Sequence, residues 1–339
     1  MEGRNYTVVT EFILSGLSDV PELKLLLFLL FLTVYIITIA GNVWIIFLII
    51  NDPCLYLPMY YFISHLAFID LCYSSTITPK MLTDLLAEKK SISVPGCFTQ
   101  LSSFSVFATT ECNLLALMAF DCYVAICIPL RYTLIMAKNV CLWSVVGVYA
   151  ISSASSVINI GYMSVLSFCG PNVIRHFFCD FLVLYKLSCT DTWSNKMLLF
   201  GLSVMFTMSA IFIILFSYSS ILNAVLKIQS ATGRSKVIST CGSHFLCVVI
   251  FYGTLLFMYL RPNSTHSQEE DFVSSVFYAV LIPMLNPLIY SLRNKSMKNA
   301  LKKIWFKKTL PLWGQNYEFG YIYHIITLSD VSVKHLNLL

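Results

Sequence analysis

Seven long stretches of this 339-residue chain are almost free of charged side chains, and they constrain the fold more than any other feature. They cover residues 25–50, 58–79, 94–128, 139–174, 197–226, 237–260 and 272–292. A helix needs roughly 20 residues to cross a bilayer, and lipid offers the backbone no hydrogen-bond partners, so each stretch is predicted to be a helix. The sequence therefore predicts an all-α membrane protein, a bundle of seven transmembrane helices.

Composition supports lipid as the solvent. Only 12% of the residues are charged, against about 25% in an ordinary soluble domain. The basic residues predict the orientation, since the segments assigned to the cytoplasm hold twelve Lys and Arg and the outer ones hold nine. This excess places the N-terminus outside. Two glycosylation sequons, at Asn5 and Asn263, fall on the same outer side.

Four of the twelve cysteines lie on or next to the predicted outer face, namely Cys97, Cys169, Cys179 and Cys189. An even number in an oxidising compartment predicts two disulfides. Four cysteines allow three pairings, and their spacing alone does not choose among these pairings.

Five short motifs follow one another in order on the predicted spans. They are Gly41-Asn42, PMYYFISHLAFID at 58–70, MAFDCYVAICIPLRY at 118–132, KVISTCGSH at 236–244 and PMLNPLIYSLRNK at 283–295. Together they resemble the signature of the odorant receptors, a family of rhodopsin-like G-protein-coupled receptors, over about residues 5 to 308. The resemblance implies the pairs Cys97–Cys179 and Cys169–Cys189. It also implies a plasma-membrane receptor, with retention in the endoplasmic reticulum as the alternative.

The resemblance further implies a pocket for a small odorant in the outer half of the bundle. The implied residues are Phe104, Ser105, Ala108, Thr109, Cys112, Leu202, Phe206, Tyr252, Leu255, Leu256, Tyr259, Val276 and Ala279. Most are apolar, with a few hydroxyls and one thiol, which suits a small neutral molecule. Helix 3 has no acid between Cys97 and Thr110 to pair with an amine ligand, and helix 7 has no lysine for a retinal Schiff base.

A second set of residues is implied to form a switch that couples to a stimulatory G protein. It comprises Asp121, Cys122, Tyr218, Lys236, His244, Asn286, Pro287 and Tyr290. The family has arginine where this chain has Cys122, and that arginine contacts the G-protein α subunit on activation. Cysteine has neither the charge nor the side-chain length to make this contact. The alternative prediction is therefore a folded receptor whose coupling is weak or absent.

Two acids, Asp70 and Glu111, fall in the middle of predicted spans, where an isolated carboxylate is costly. If helices 2 and 3 bring them together, they either share a proton or hold a cation such as sodium. The alternative interpretation is a neutral hydrogen-bonded pair with a structural role. No other cofactor and no nucleic acid is predicted, and no nucleophile or metalloprotease motif suggests an enzyme.

The predicted organisation is an extracellular segment over 1–24, the receptor domain over 25–292, a basic amphipathic helix over 293–308 and an atypical tail over 309–339. The amphipathic helix carries six lysines beside a stripe of apolar residues. This pattern fits the anionic inner leaflet of the membrane. A channel or transporter is the competing class, but no internal repeat and no charge-lined span supports it.

Overall fold

The computed structural model describes residues 9–17, 20–169, 172–259 and 275–309. We label its large helices α1 to α8 in chain order. They are α1 (Pro21–Asn51), α2 (Pro58–Leu86), α3 (Val94–Cys127), α4 (Lys138–Ser164), α5 (Trp193–Lys227), α6 (Ala231–Tyr259), α7 (Ile282–Arg293) and α8 (Lys295–Thr309). A π-helical segment, Phe277–Leu281, leads directly into α7. Short helical turns at Pro53–Leu55, Pro129–Arg131, Tyr132–Ile135 and Phe181–Leu187 lie in the connections.

The first seven helices form the predicted transmembrane bundle, and α8 follows it. By length and composition alone, α1, α3, α4 and α5 are long and apolar enough to cross a membrane, and shorter apolar segments lie at Cys241–Leu255 and Phe277–Ser291. Large apolar side chains such as Leu26 and Phe212 point outward from α1 and α5. Such exposure fits lipid as the surrounding medium, because lipid tails solvate these side chains and water does not.

Helix starts follow from proline and capping residues. Proline occupies the first turn of α1, α2 and α3, where its missing N–H costs nothing. At α3 the side chain of Ser93 also accepts a hydrogen bond from the Gly96 N–H, at 3.2 Å. These local signals, together with the apolar runs, explain why the chain begins its helices where it does.

Helix α1 packs closely against α7 through a glycine. A Cβ added at Gly41 would lie 3.1 Å from the side chain of Pro287. Pro287 has no N–H to give to the carbonyl oxygen of Pro283, one turn earlier. The Asn42 side chain donates to that oxygen instead, at 3.0 Å. The Gly41-Asn42 motif thus makes room for Pro287 and replaces its missing hydrogen bond.

A small sheet, which the sequence did not predict, covers the outer end of the bundle. Its strands are β1 (Glu11–Leu14), β2 (Ser91–Ser93) and β3 (Val173–Ile174), in the order β2-β1-β3. The β1–β2 pair is antiparallel and the β1–β3 pair is parallel. Lys89 forms an ion pair with Glu11 beside the sheet, and its hydrogen bond and charge lower the pKa of that carboxyl.

The helices differ from the predicted spans at several ends, and two of these differences are informative. The fourth span was drawn to residue 174, but α4 ends at Ser164 and Val173–Ile174 is a strand. The bridge between Phe168 and Ser188 and the Cys169–Cys189 disulfide hold this apolar segment in the outer loop. The second span was drawn to Pro79, but α2 continues through that proline to Leu86.

Two disulfides lie at the outer end, and they join the pairs that the family resemblance implies. Cys97 at the top of α3 is bonded to Cys179, and Cys169 is bonded to Cys189. Both partners of the first bond are fully buried. This bond fixes the second outer loop over the mouth of the bundle.

Helix α8 is attached to the bundle at its beginning and along one face. The Asn294 side chain accepts hydrogen bonds from the Ser296 and Met297 N–H groups, and the Tyr60 hydroxyl of α2 donates to it at 3.1 Å. Lys303 donates to Asp52 at 3.2 Å. Although partial burial raises the pKa of Asp52, the Cys54 N–H and Lys303 outweigh it and lower that pKa overall.

Several predictions fall outside the described residues. They concern both sequons, at Asn5 and Asn263, and the tail over 310–339. The described α8 corresponds closely to the basic helix predicted over 293–308. The four-part division of the chain stays a prediction.

The two disulfides should differ in their contribution to stability. They close chain segments of 82 and 20 residues, for which chain entropy gives about 4.5 and about 3.3 kcal/mol. We expect Cys97→Ser/Cys179→Ser to lower the thermal midpoint in detergent more than Cys169→Ser/Cys189→Ser does. Cys54→Ser, at an exposed free thiol, is the matched control. Equal losses from the two pairs would contradict this order.

Candidate functional site

An aromatic cluster lies in the outer half of the bundle, where the pocket was predicted. Phe104 of α3 contacts Tyr73 of α2 and Phe178 of the second outer loop, with ring centroids 5.2 and 5.3 Å apart. Its ring also lies 6.0 Å from that of Tyr278, which precedes α7. Ala108 and Val276 pack against the same cluster, and Ala279 is buried within it. Helices from three sides therefore meet at Phe104.

A second group lies deeper, between α3 and α6. The Tyr252 hydroxyl donates to the carbonyl oxygen of Cys112 at 3.0 Å and lies 3.1 Å from the Cys112 sulfur. Both side chains are buried, and Leu255, one turn farther out on α6, packs against the same core. Tyr252 thus fixes α6 to α3 below the aromatic cluster.

The remaining predicted pocket residues divide into two groups. Ser105 and Thr109 are partly buried on α3, and Leu202 and Phe206 are partly buried on α5. The side chains of Leu256 and Tyr259 lie outside the described residues. The structure thus brings Phe104, Ala108, Val276 and Ala279 into one cluster and joins Cys112 to Tyr252.

The second outer loop covers this region from above. Phe177 and Phe178 are fully buried in the same cluster as Tyr73 and Ala279. His176 stacks on Phe177, and its Nε2 lies 3.2 Å from the Ser275 hydroxyl. The Gln100 side chain accepts a hydrogen bond from the Cys179 N–H at 3.0 Å. The loop therefore closes the region as a lid fixed to α3 and to the start of the seventh span.

Two buried carboxyl groups meet a shared amide in the middle of the bundle. Asp70 on α2 is 0% exposed and Glu111 on α3 is 3% exposed. The Asn286 amide nitrogen of α7 donates to Asp70 Oδ2 at 3.0 Å and lies 3.4 Å from Glu111 Oε1. Two carboxylates so close to one another and so deep in the bundle require a shared proton or a cation.

Oxygen donors of this kind suit a hard cation. Among the described residues no group of three or more His, Cys, Asp or Glu side chains could hold a metal ion. A site made of two carboxyl groups and one amide is compatible with an alkali cation such as sodium.

Below this pair, α5, α6 and α3 are joined by one hydrogen-bond chain. His244 Nε2 lies 3.1 Å from the carbonyl oxygen of Leu115, and its Nδ1 lies 2.6 Å from the Tyr218 hydroxyl. A carbonyl oxygen can only accept, so Nε2 carries the proton, and Nδ1 of the neutral ring accepts from Tyr218. Two residues predicted for the switch thus contact each other and close the inner end of the bundle.

Asp121, near the inner end of α3, is hydrogen-bonded to a tyrosine and not to an arginine. The hydroxyl of Tyr132, in the second inner loop, donates to Asp121 Oδ1 at 2.9 Å. Burial, followed by the nearby carboxylate, raises the pKa of Tyr132, so this hydroxyl keeps its proton. Tyr132 stood in the motif, but its role was not predicted from the sequence.

Cys122 is buried between α3, α5 and α6. It shares a buried cluster with Ile221 and Cys241. The other switch residues, Asn286, Pro287 and Tyr290, lie on α7, where Tyr290 is 2% exposed. The side chain of Lys236 lies outside the described residues.

Comparison with solved structures identifies the fold. The chain matches the crystal structure of squid rhodopsin with a TM-score of 0.64 at 16% identity, covering 88% of this chain and 90% of that one. At this identity the likeness concerns the fold alone. The chain therefore has the seven-helix fold of rhodopsin.

Sequence comparison gives the family. The olfactory receptor profile matches residues 31–308. Olfactory receptor 8U3 of Mus musculus is 51% identical, with 88% of this chain and 94% of the relative covered. Olfactory receptor 8G3 of Homo sapiens is also 51% identical, with 90% and 98% covered. The chain belongs to the olfactory receptor family; it is a multi-pass receptor of the plasma membrane and not an enzyme.

The Tyr132–Asp121 hydrogen bond gives a testable prediction. Tyr132→Phe leaves a buried carboxyl group without this donor, which should cost about 1–3 kcal/mol. In an Asp121→Ala background the same change should cost little, because the acceptor is gone. Thermal midpoints of the four chains complete a double-mutant cycle. Additive losses would show that the two side chains do not depend on one another.

Proposed function

We propose that this olfactory receptor binds small, mostly neutral volatile organic molecules in the outer half of the bundle. We further propose that binding activates a stimulatory G protein and raises cyclic AMP. The observation that carries the proposal is the aromatic cluster around Phe104, which lies beneath the loop lid formed by Phe177 and Phe178. Apolar walls with a few polar groups are typical of sites for small organic ligands.

The chemistry of the lining supports a neutral ligand. Phe104, Ala108 and Val276 offer apolar contacts, while Ser105 and Thr109 on the same region of α3 provide hydroxyl groups. A hydroxyl group can donate to or accept from one polar atom of an alcohol, aldehyde, ketone or ester. The acids of α3, Glu111 and Asp121, lie deeper and are already hydrogen-bonded.

The switch region supports transmission to the inner face. Tyr218, His244 and Leu115 join α5, α6 and α3 by hydrogen bonds that must change if α6 moves. The alternative proposal rests on Cys122, which is buried against Cys241 and contributes no positive charge. A receptor of this kind would bind its ligand and couple weakly or not at all.

Cyclic AMP measurement tests the proposal directly. Cells expressing the natural chain, Cys122→Arg or Cys122→Ala are challenged with a panel of neutral odorants at equal surface staining. We expect a response from the natural chain and a larger maximum from Cys122→Arg, because arginine has the charge and reach to contact the G protein. Cys122→Ala controls for lost packing.

The possible results of this assay separate the two proposals. A response only from Cys122→Arg would favour the weakly coupled receptor. No response from any of the three chains, with all present at the surface, would contradict odorant-driven signalling. As a control for the pocket, Phe104→Ala should weaken the response to every active odorant without changing surface staining.

We also propose that Asp70 and Glu111 hold a sodium ion; the alternative is a neutral hydrogen-bonded pair, in which a shared proton takes the place of the ion. The support is geometric, since both carboxyl groups converge on the Asn286 amide while fully buried. When bound, the ion supplies positive charge to this pair. The carboxyl groups and the amide then determine how tightly α2, α3 and α7 are held together.

Sodium dependence of thermal stability tests this site. An ion present at about ten times its dissociation constant stabilises the folded state by about 1.4 kcal/mol. We expect sodium, compared with choline at equal ionic strength, to raise the thermal midpoint of the natural chain. Asp70→Asn should abolish the effect, and Asp52→Asn, at the inner surface, should keep it. A midpoint unchanged by sodium would favour the shared proton.

A further inference from the structure

Two free thiols from different helices meet in the inner half of the bundle. Cys122 on α3 is 1% exposed and Cys241 on α6 is 5% exposed. Together with Ile221 of α5 they form one buried cluster between three helices. The hydrogen-bond chain of Tyr218, His244 and Leu115 does not include either thiol, and Cys122 stands where the family motif has arginine.

We propose that Cys122 and Cys241 form an oxidation site, at which hydrogen peroxide converts the two thiols into a disulfide between α3 and α6. In the first step one thiol loses its proton and the thiolate attacks a peroxide oxygen. The O–O bond breaks, a sulfenic acid forms, and the departing hydroxide takes up that proton to give water. In the second step the other thiol attacks the sulfenic sulfur, the S–S bond forms, and a second water leaves. Two thiols and one peroxide thus give one disulfide and two waters, the two sulfurs giving up two electrons in total.

The burial of the two thiols determines when this reaction can occur. Buried thiols are slow to ionise and react poorly, so the first step needs water to reach the cluster. Separation of α6 from α3 would open that path from the inner face, and return of α6 would bring the second sulfur into place. Disulfides in the cytosol are transient, because cytosolic thiols reduce them. The site is therefore reversible.

The consequence for signalling rests on the proposed function. A covalent bond between α3 and α6 holds together the two helices that the Tyr218–His244–Leu115 chain also joins. The inner face then stays closed whatever occupies the pocket. Oxidation would silence the receptor without touching the ligand site.

Cys127 is the other free thiol of α3 near this cluster that could form a disulfide with Cys241. It lies on the same helix as Cys122 and packs, partly buried, against the same cluster. Cys122 and Cys241, by contrast, are both buried members of this cluster. Variants at Cys122 and Cys127 therefore distinguish the proposed pair from a non-specific cross-link in a cysteine-rich region.

Chain cleavage provides a clean assay, because the loop between α5 and α6 separates the two cysteines. A protease site is inserted after Gln229, which is exposed in this loop. The C-terminal fragment then holds only Cys241 and Cys247 among the cysteines. Both outer disulfides lie wholly in the N-terminal fragment. Fragments that stay joined on a non-reducing denaturing gel must therefore be linked through Cys241 or Cys247, and the variants below identify the partner.

The expected result is a joined band after peroxide treatment of membranes, which dithiothreitol removes. Cys122→Ser and Cys241→Ser should each lose the joined band, while Cys127→Ser and Cys247→Ser should keep it. Surface staining checks that each variant folds. As a measurement that needs no variant, mass spectrometry of the oxidised natural chain should find the Cys122 peptide linked to the Cys241 peptide.

Absence of a joined band in the natural chain would overturn the proposal, as would a band that survives Cys122→Ser. Loss of the odorant response after peroxide in the natural chain, with retention in Cys241→Ser, would support silencing. A cross-link with an unchanged response would overturn silencing. A cross-link in a chain that answers no odorant would contradict the proposed function and support the oxidation site.

Discussion

The Asn286 amide nitrogen links three helices at the middle of the bundle, and the arrangement of the inner half depends on it. It reaches Asp70 of α2 and Glu111 of α3 from α7, in a region where water is scarce and an isolated charge is costly. One residue later, Pro287 leaves the Pro283 carbonyl without its usual donor, and Asn42 of α1 supplies one. Four helices are therefore held by amide hydrogen bonds that leave little freedom in how they pack.

Much of the fold could be predicted because lipid imposes a simple rule on length and polarity. The apolar runs gave the seven helices, and the motifs gave the disulfide pairs found here. The same rule failed at Val173–Ile174, where an apolar segment lies in a loop because a disulfide and strand pairing hold it there. The hydropathy of a segment indicates whether its surroundings are apolar, but it does not indicate which distant segments it contacts.

The candidate site was predictable in outline only. Helical spacing places Ser105, Ala108 and Thr109 on one face of α3, but the contact of Phe104 with Phe178 depends on how the outer loop folds back. Likewise, the replacement of arginine by Cys122 was visible in the sequence. That Tyr132 would bond to Asp121, and that Cys241 would face Cys122, follows from packing between segments far apart in the chain.

The outer sheet has a consequence for the order in which the receptor is assembled. Strand β1 lies ahead of the first transmembrane helix, yet it pairs with Ser91–Ser93 and, in parallel, with Val173–Ile174. During synthesis its last partner leaves the ribosome only after four membrane segments have been made. The amino-terminal segment therefore stays in the lumen without β3 as a partner until then. The sheet is completed only when the first four helices have reached their final topology.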